Sequence, residues 1–269
     1  MKKLDHLKDI IENYDFFIID LWGVIHNGIA PYKGALEAIE GLYKENKKYF
    51  FLSNAPRPVS DVKDFLVQKM KINEKYIKHI FTSGEAAIIS IKNFKFGKYF
   101  YHLGPERDDK IFYGLKQFKT DLSKCDYILC TGLFDHKMND LNYYKNLLQN
   151  SIDKKLICTN PDLVVDRGNN QEYCAGTVAK IFEKMGGKTI YFGKPHKDIY
   201  NLIMKDKKKA LIIGDNLRTD IKGANLINQD SLFILDGIHK KEINEINNIS
   251  DLLKKYNVKT NFIQNQLNW

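Results

Sequence analysis

Four apolar runs in this chain each stop at a polar or charged residue: FFII at Asp20, FFL at Ser53, IYFG at Lys194 and ALIIG at Asp215. Short apolar runs bounded by turn-prone residues are what buried parallel strands require, because a parallel sheet is covered on both faces. An open parallel sheet places its ligand site beyond the carboxyl ends of its strands. The pattern therefore predicts an α/β fold in which a carboxylate, a hydroxyl, a lysine and an acidic cluster meet in one crevice. Such a set suits phosphoryl transfer or a related group transfer.

Strand-like and helix-like segments alternate along the chain. His26–Asn27–Gly28 carries the Asn-Gly dipeptide that favours hairpins, so a small flap is expected to leave the sheet after Asp20. Residues 34–46 read as a helix with Leu36, Ile39 and Leu42 near helical spacing, and residues 49–52 as the next strand. A second helix is expected from Ser60 to about Met70, with Ser60 as its N-cap and Asp61 and Asp64 in its first turn. From about Lys95 the alternation restarts with KYFYHLG, YILCTGL and KLICTN. This inserted αβ unit closes with a helix over 177–185 and the Gly186–Gly187 pair, and residues 189–192 are expected to rejoin the first sheet.

The 269 residues contain no uninterrupted apolar stretch approaching the roughly 18 to 20 needed to span a bilayer. The start, MKKLDHLKDIIENYD, is too charged for an export signal, which leads us to expect a cytoplasmic protein with no membrane partner. Cys125, Cys130, Cys158 and Cys174 form no CxxC pair, so reduced thiols are expected. The net charge of +9 comes from lysines interspersed with acidic residues, as in the KDKKK stretch at 205–209. That is the mark of a solvated basic surface, not of a nucleic-acid-binding face, and it can still steer anions toward a site.

The stretch GDNLRTD, residues 214–220, adds Asp220 to Asp215 across a strand-to-helix turn. With Asp20, three carboxylates would share one crevice. Each like-charged pair about 4 Å apart costs roughly 4 kcal/mol at an effective dielectric of 20, so a cation or protons must relieve the cluster. Oxygen-only donors beside a phosphate favour Mg²⁺. Lys194 would add fixed positive charge, and Ser53 a hydrogen-bond donor to phosphoryl oxygens.

The segments FFIIDLWGVIHNG, FFLSNAPRP, YFGKPHKDIY and LIIGDNLRTDIKGA, in that order, resemble the four motifs of the haloacid dehalogenase superfamily. The insertion, with TNPD at 159–162, is similar to the cap of class IIA members, the NagD-like and 4-nitrophenylphosphatase-like phosphatases. The resemblance implies a Rossmann-like core over residues 1–95 and 188–269, with a cap over 96–187. It implies a hydrolase acting on a small phosphorylated metabolite, with Asp20 as the nucleophile that forms an aspartyl-phosphate. Ser53 and Lys194 would hold the phosphoryl group, and Asp220 would steady Lys194 or the metal's water shell. Asp20, Asp215 and the backbone carbonyl of Trp22 would ligate Mg²⁺. Trp22 and Gly23, with Asn54, Arg57 and Asn160, stand where substrate contacts are expected. Shaping of turns is the alternative for Asn54 and Asn160, and an exposed turn position for Arg57. Class IIA relatives often pair through their caps, which extends a homodimer expectation to this chain.

One position departs from the family pattern. Two residues after the nucleophile, such phosphatases usually carry an aspartate that protonates the leaving group and activates water, and here that residue is Trp22. Loss of a positioned acid/base is worth roughly 10² to 10⁴ in rate. His26 on the flap could substitute, its unperturbed pKa lying near 6.5. The departure keeps open a weakly catalytic phosphate-metabolite-binding protein and a different reaction of the superfamily, such as phosphonate cleavage.

Overall fold

A computed structural model of the protein describes residues 1–168, 170–204, 209–246 and 248–269. Apart from Lys209, the lysine-rich stretch at 205–209 lies outside the described residues. The chain runs through β1 (Lys2–Lys3), β2 (Phe16–Ile19), α1 (Lys33–Lys44), β3 (Lys48–Ser53), α2 (Val59–Asp64), β4 (Ile80–Thr82) and α3 (Ser83–Lys92). An inserted unit follows with β5 (Phe100–Leu103), β6 (Tyr127–Cys130), α4 (Leu141–Leu148), β7 (Lys155–Cys158), β8 (Val164–Arg167), β9 (Asn170–Tyr173), α5 (Ala175–Lys184) and β10 (Lys188–Tyr191). The chain then returns through β11 (Ala210–Gly214), β12 (Asp230–Ile234) and β13 (Phe262–Gln264).

The main sheet has seven parallel strands in the order β1-β13-β12-β11-β2-β3-β4. From β2 the chain winds outward through β3 and β4, and from β11 it winds the other way through β12 and β13. The winding thus reverses between the neighbours β2 and β11, and a crevice opens there beyond the strand ends. Both faces of the sheet are covered, which is why the strand runs are apolar throughout. Phe17 and Ile19 pack on one side with Ile39 and Leu42 of α1, while Phe16 and Ile18 pack on the other with Ile199 and Tyr200. The inserted unit has its own parallel sheet, β10-β7-β6-β5, its own core around Leu156 and Phe182, and the antiparallel hairpin β8-β9.

Three local expectations change. The strand expected at 189–192 does not rejoin the main sheet: β10 pairs with β7, Thr189 opposite Leu156 and Tyr191 opposite Cys158. The inserted sheet therefore extends past the 187/188 boundary, and Lys194 enters the crevice from the end of an inserted-unit strand. The flap after Asp20 is a loop held by isolated bridges of His26 to Trp22 and Pro31, with no paired strands. There the Asn27 side chain closes a turn on the Ile29 and Ala30 amides, and Gly28 takes a positive φ of 82°. Ser60 is not an N-cap either. The helix starts one residue earlier because the fixed φ of Pro58 suits the cap and the Val59 N–H donates to Glu85 Oε2 at 3.1 Å.

Candidate active site

Three strand ends stand side by side at the crevice: β11 leads into Asp215, β2 into Asp20, and β3 ends on Ser53. Carboxylate oxygens of Asp20, Asp215 and Asp220, all buried, lie within 4.8 Å of one another. Lys194, only 2% exposed, donates from Nζ to Asp20 Oδ1 at 2.6 Å and to Asp220 Oδ1 at 2.7 Å. Asp220 is held on its other oxygen by the Asn216 N–H at 3.1 Å. Asp215 Oδ2 accepts from the Ile238 N–H at 2.8 Å. The backbone comes so close here that a Cβ on Gly23 or Gly237 would overlap the Asp215 carboxylate, and Gly23 has a φ of +82° besides. Glycine at 23 is thus required by Asp215, and this packing is the contact the structure assigns to it.

Three carboxylates around one ammonium leave the crevice short of positive charge. Burial and then Asp220 push the Asp20 carboxyl up, to about 8. Asp215 is raised well above the usual carboxylate range by burial and by Asp20. Burial works against the Lys194 charge, but Asp20, Asp220 and Asp162 outweigh it and hold the ammonium above the ordinary lysine range. The donor set fits a hard divalent cation. Asp20 Oδ2, Asp215 Oδ1 and the Trp22 carbonyl accept no hydrogen bond among the described residues, which leaves three oxygens for coordination.

A family model described as haloacid dehalogenase-like hydrolase matches residues 17–116, and a second, described as HAD-hydrolase-like, matches residues 191–265. The chain belongs to the haloacid dehalogenase superfamily. A solved haloacid dehalogenase-like hydrolase from Brucella suis 1330 is 28% identical, with a TM-score of 0.87 over 98% of this chain and 99% of that one. The 4-nitrophenylphosphatase of Thermotoga maritima shares the fold at 22% identity and a TM-score of 0.70, over 96% of each chain. NagD from E. coli K-12 does so at 21% identity and a TM-score of 0.65, over 94% of this chain and 96% of that one. Among curated proteins, a 5'-nucleotidase of Bacillus subtilis strain 168 is 23% identical over 245 residues, 86% of this chain and 91% of that protein. These likenesses span the insertion as well as the core, the arrangement of the class IIA haloacid dehalogenase-type hydrolases.

The remaining motif residues fall into place around this centre, several of them in unexpected roles. Ser53 is buried, and its Oγ accepts from the Ala55 N–H at 3.2 Å, which leaves its own proton to donate. The Asn54 side chain is turned to the backbone of Lys194. Its Oδ1 accepts from the Lys194 N–H at 2.8 Å and its Nδ2 donates to the Lys194 carbonyl at 3.2 Å, so it grips the lysine by its backbone. Arg57 is neither an exposed turn residue nor an unpaired anchor: Nε donates at 2.8 Å to Asp108 of the inserted unit, itself buried. Asn160 caps the Asp162 N–H at 3.1 Å at the rim of the crevice. Asp162 accepts from Asn216 Nδ2 at 3.2 Å, and burial above all lifts its carboxyl to about 6.

His26 and Trp22 are locked in the loop after β2. The His26 ring is 2% exposed, Nδ1 accepts from the Gly28 N–H at 3.1 Å, and burial together with Arg167 depresses its pKa to about 4. It is therefore neutral at pH 7 and cannot serve there as an imidazolium acid. Trp22 donates its indole N–H to the Asp166 carbonyl at 2.7 Å, and the Arg167 guanidinium lies 5.0 Å from the ring centroid. The Gly168 N–H donates to the Asn27 carbonyl at 3.1 Å. The β8-β9 hairpin thus roofs a cleft of about 480 Å³ that Asp20, Ser53 and Asp215 line from below. Sequence reasoning missed this hairpin. Its signal was Gly168 and the asparagine after it, set between VVDR and QEY.

Proposed function

We propose that this protein is a Mg²⁺-dependent phosphatase of a small phosphorylated metabolite, working through an aspartyl-phosphate on Asp20. The observation that carries the reading is the buried cluster in which Lys194 bridges Asp20 and Asp220 while Asp215 stands within 4.8 Å of both. Names borne by similar proteins, a 4-nitrophenylphosphatase and a 5'-nucleotidase, support it. Asp20 and Asp215, with the Trp22 carbonyl, would hold the ion, and bound Mg²⁺ would supply charge to neutralise the phosphoryl oxygens.

Asp20 attacks phosphorus through one carboxylate oxygen while Lys194, fixed by Asn54 and Asp220, offsets part of the burial and Asp220 charge that oppose ionisation of the nucleophile and offers charge to the transferring group. Ser53 donates its hydroxyl proton to a phosphoryl oxygen. Asp220 positions Lys194, since both of its oxygens are engaged. The residues from β5 to β10 act as the cap that shields this chemistry from water. Pairing of two copies through that cap, and residence in the cytoplasm with four buried free thiols, belong to the same reading. The test is phosphate release from a panel of phosphorylated metabolites with Mg²⁺ or with chelator. Turnover that needs the metal and disappears in a folded Asp20→Asn variant is expected. Turnover that survives this substitution removes Asp20 from the mechanism.

A further inference from the structure

An alkoxide is too basic to leave phosphorus unaided, so hydrolysis of an alkyl phosphate needs a proton donor within hydrogen-bond reach of the departing oxygen. The loop after Asp20 holds no side chain that is both free and acidic enough for that role. The only N–H of the Trp22 side chain goes to the Asp166 carbonyl, and Gly28 approaches the ring so closely that a Cβ there would overlap it. His26 is wedged edge-on against Trp22 and Phe65, and because its Nδ1 accepts from the Gly28 N–H the ring is a neutral imidazole, whose remaining N–H is a poor proton donor. Tyr32 also lines the cleft, but burial and then Asp215, Asp236 and Asp166 make its phenol a weaker acid than usual.

The carboxylates of the cleft are committed elsewhere. Asp61, Asp108, Glu172 and Asp236 each pair with a lysine or arginine, and Asp166 accepts from Gln171. Among the described carboxylates of the cleft outside the Asp20 cluster, Asp162 is the one rival, with a pKa of about 6. Its Oδ1 is spent on the Asn216 Nδ2 donor at 3.2 Å, and Asp162→Asn tests whether its other oxygen delivers a proton.

We propose that the site is built for phosphoryl groups on leaving groups that depart as stable anions, namely acyl phosphates, phosphoanhydrides and aryl phosphates, in preference to alkyl phosphate esters. This rests on the phosphatase reading above and narrows its substrate class. A carboxylate oxygen of Asp20 forms a bond to phosphorus as the bond to the leaving oxygen breaks. The electron pair stays on that oxygen, which departs as carboxylate, phosphate or phenolate with no proton added. Water then attacks the aspartyl-phosphate at phosphorus, the bond to Asp20 breaks, and inorganic phosphate forms while the water's proton passes to solvent. With no base in the Trp22 position this second step is the slow one, so the phosphoenzyme accumulates.

The full chain with Mg²⁺ is assayed on acetyl phosphate, pyrophosphate, a series of aryl phosphates of graded leaving-group acidity, and glycerol phosphate. We expect kcat/KM to fall steadily along the aryl series and acetyl phosphate to exceed glycerol phosphate by about 10²-fold or more. A burst of leaving group equal to the enzyme is expected, and Trp22→Asp should narrow the acyl-to-alkyl gap. A kcat/KM that is flat along the aryl series and equal for acyl and alkyl phosphates overturns the substrate class alone. If that flatness turns into a steep dependence in Asp162→Asn, Asp162 is an acid and the proposal is equally overturned. Absence of both turnover and Asp20 phosphorylation with every compound overturns the phosphatase reading with it.

Discussion

Asn54 holds Lys194 by the N–H and carbonyl of its backbone, and this grip sets the ammonium between Asp20 and Asp220. Removing it leaves two buried backbone groups without partners, at a cost of about 1 to 3 kcal/mol each. Asn54→Ala should therefore lower the melting temperature and reduce kcat, whereas Asn54→Asp, which keeps only the acceptor, should fall between. Equal kcat in wild type and a folded Asn54→Ala variant would contradict the positioning role. The convergence of Asp20, Ser53 and Asp215 was legible in the sequence because each ends an apolar run, and a strand end is where a parallel sheet offers its side chains to a ligand. The partners of Asn54 and Arg57 were not legible. A polar residue in a turn looks alike whether it faces a phosphate or a backbone 140 positions away, and only the assembled chain supplies the neighbour.

The strand Lys188–Tyr191 shows the same limit one level up. Its apolar alternation identified a strand, but both sheets are parallel and both want such a strand, so pairing was decided by the β7 register. Lys194 reaches the crevice either way, because Gly193, with a φ of +111°, turns the chain out of the inserted sheet where a Cβ would meet Asn54 and Ser83. The β8-β9 hairpin is fastened at its tip by two bonds, Trp22 to the Asp166 carbonyl and Gly168 to the Asn27 carbonyl. Trp22→Phe retains the ring under Arg167 and removes the indole donor. Loss of one such bond is worth roughly 0.5 to 1.5 kcal/mol, so the Gly168 amide should exchange with solvent about 2- to 10-fold faster in that variant. Unchanged exchange at Gly168 would mean that the hairpin is held by its other contacts.

Three buried histidines link the whole fold to pH. His26 sits in the loop beside the crevice, His102 in the cap against Thr131 and Phe112, and His239 between the Leu217 N–H and Glu242. Burial is the first cause of depression for all three, and each lies at about 4 against an ordinary 6.5. A depressed imidazole means that the unfolded chain binds protons more readily than the folded one. Their contribution is thus fully present above pH 6.5 and is lost as the pH falls through 4, on the order of 3 kcal/mol for each. The raised carboxyls act in the opposite sense. Asp20 at about 8 and Asp162 at about 6 favour the protonated folded state, so that part of the stability is lost as the pH rises toward 8 without a cation. Bound Mg²⁺ prefers the ionised carboxylates and should raise the melting temperature more at pH 8 than at pH 5. In the metal-free protein the carboxyl loss runs upward from about pH 4 to 8 and the imidazole loss downward from 6.5 to 4, so the two oppose each other below 6.5 while the carboxyl loss alone remains above it, and Mg²⁺ should flatten that alkaline limb. His102→Gln should shift the pH dependence between 6.5 and 4.5 toward greater relative stability at the acid end, and no difference from wild type there would show that this imidazole charges without strain in the folded chain. An equal Mg²⁺ shift at pH 5 and pH 8 would place the ion away from the Asp20 cluster.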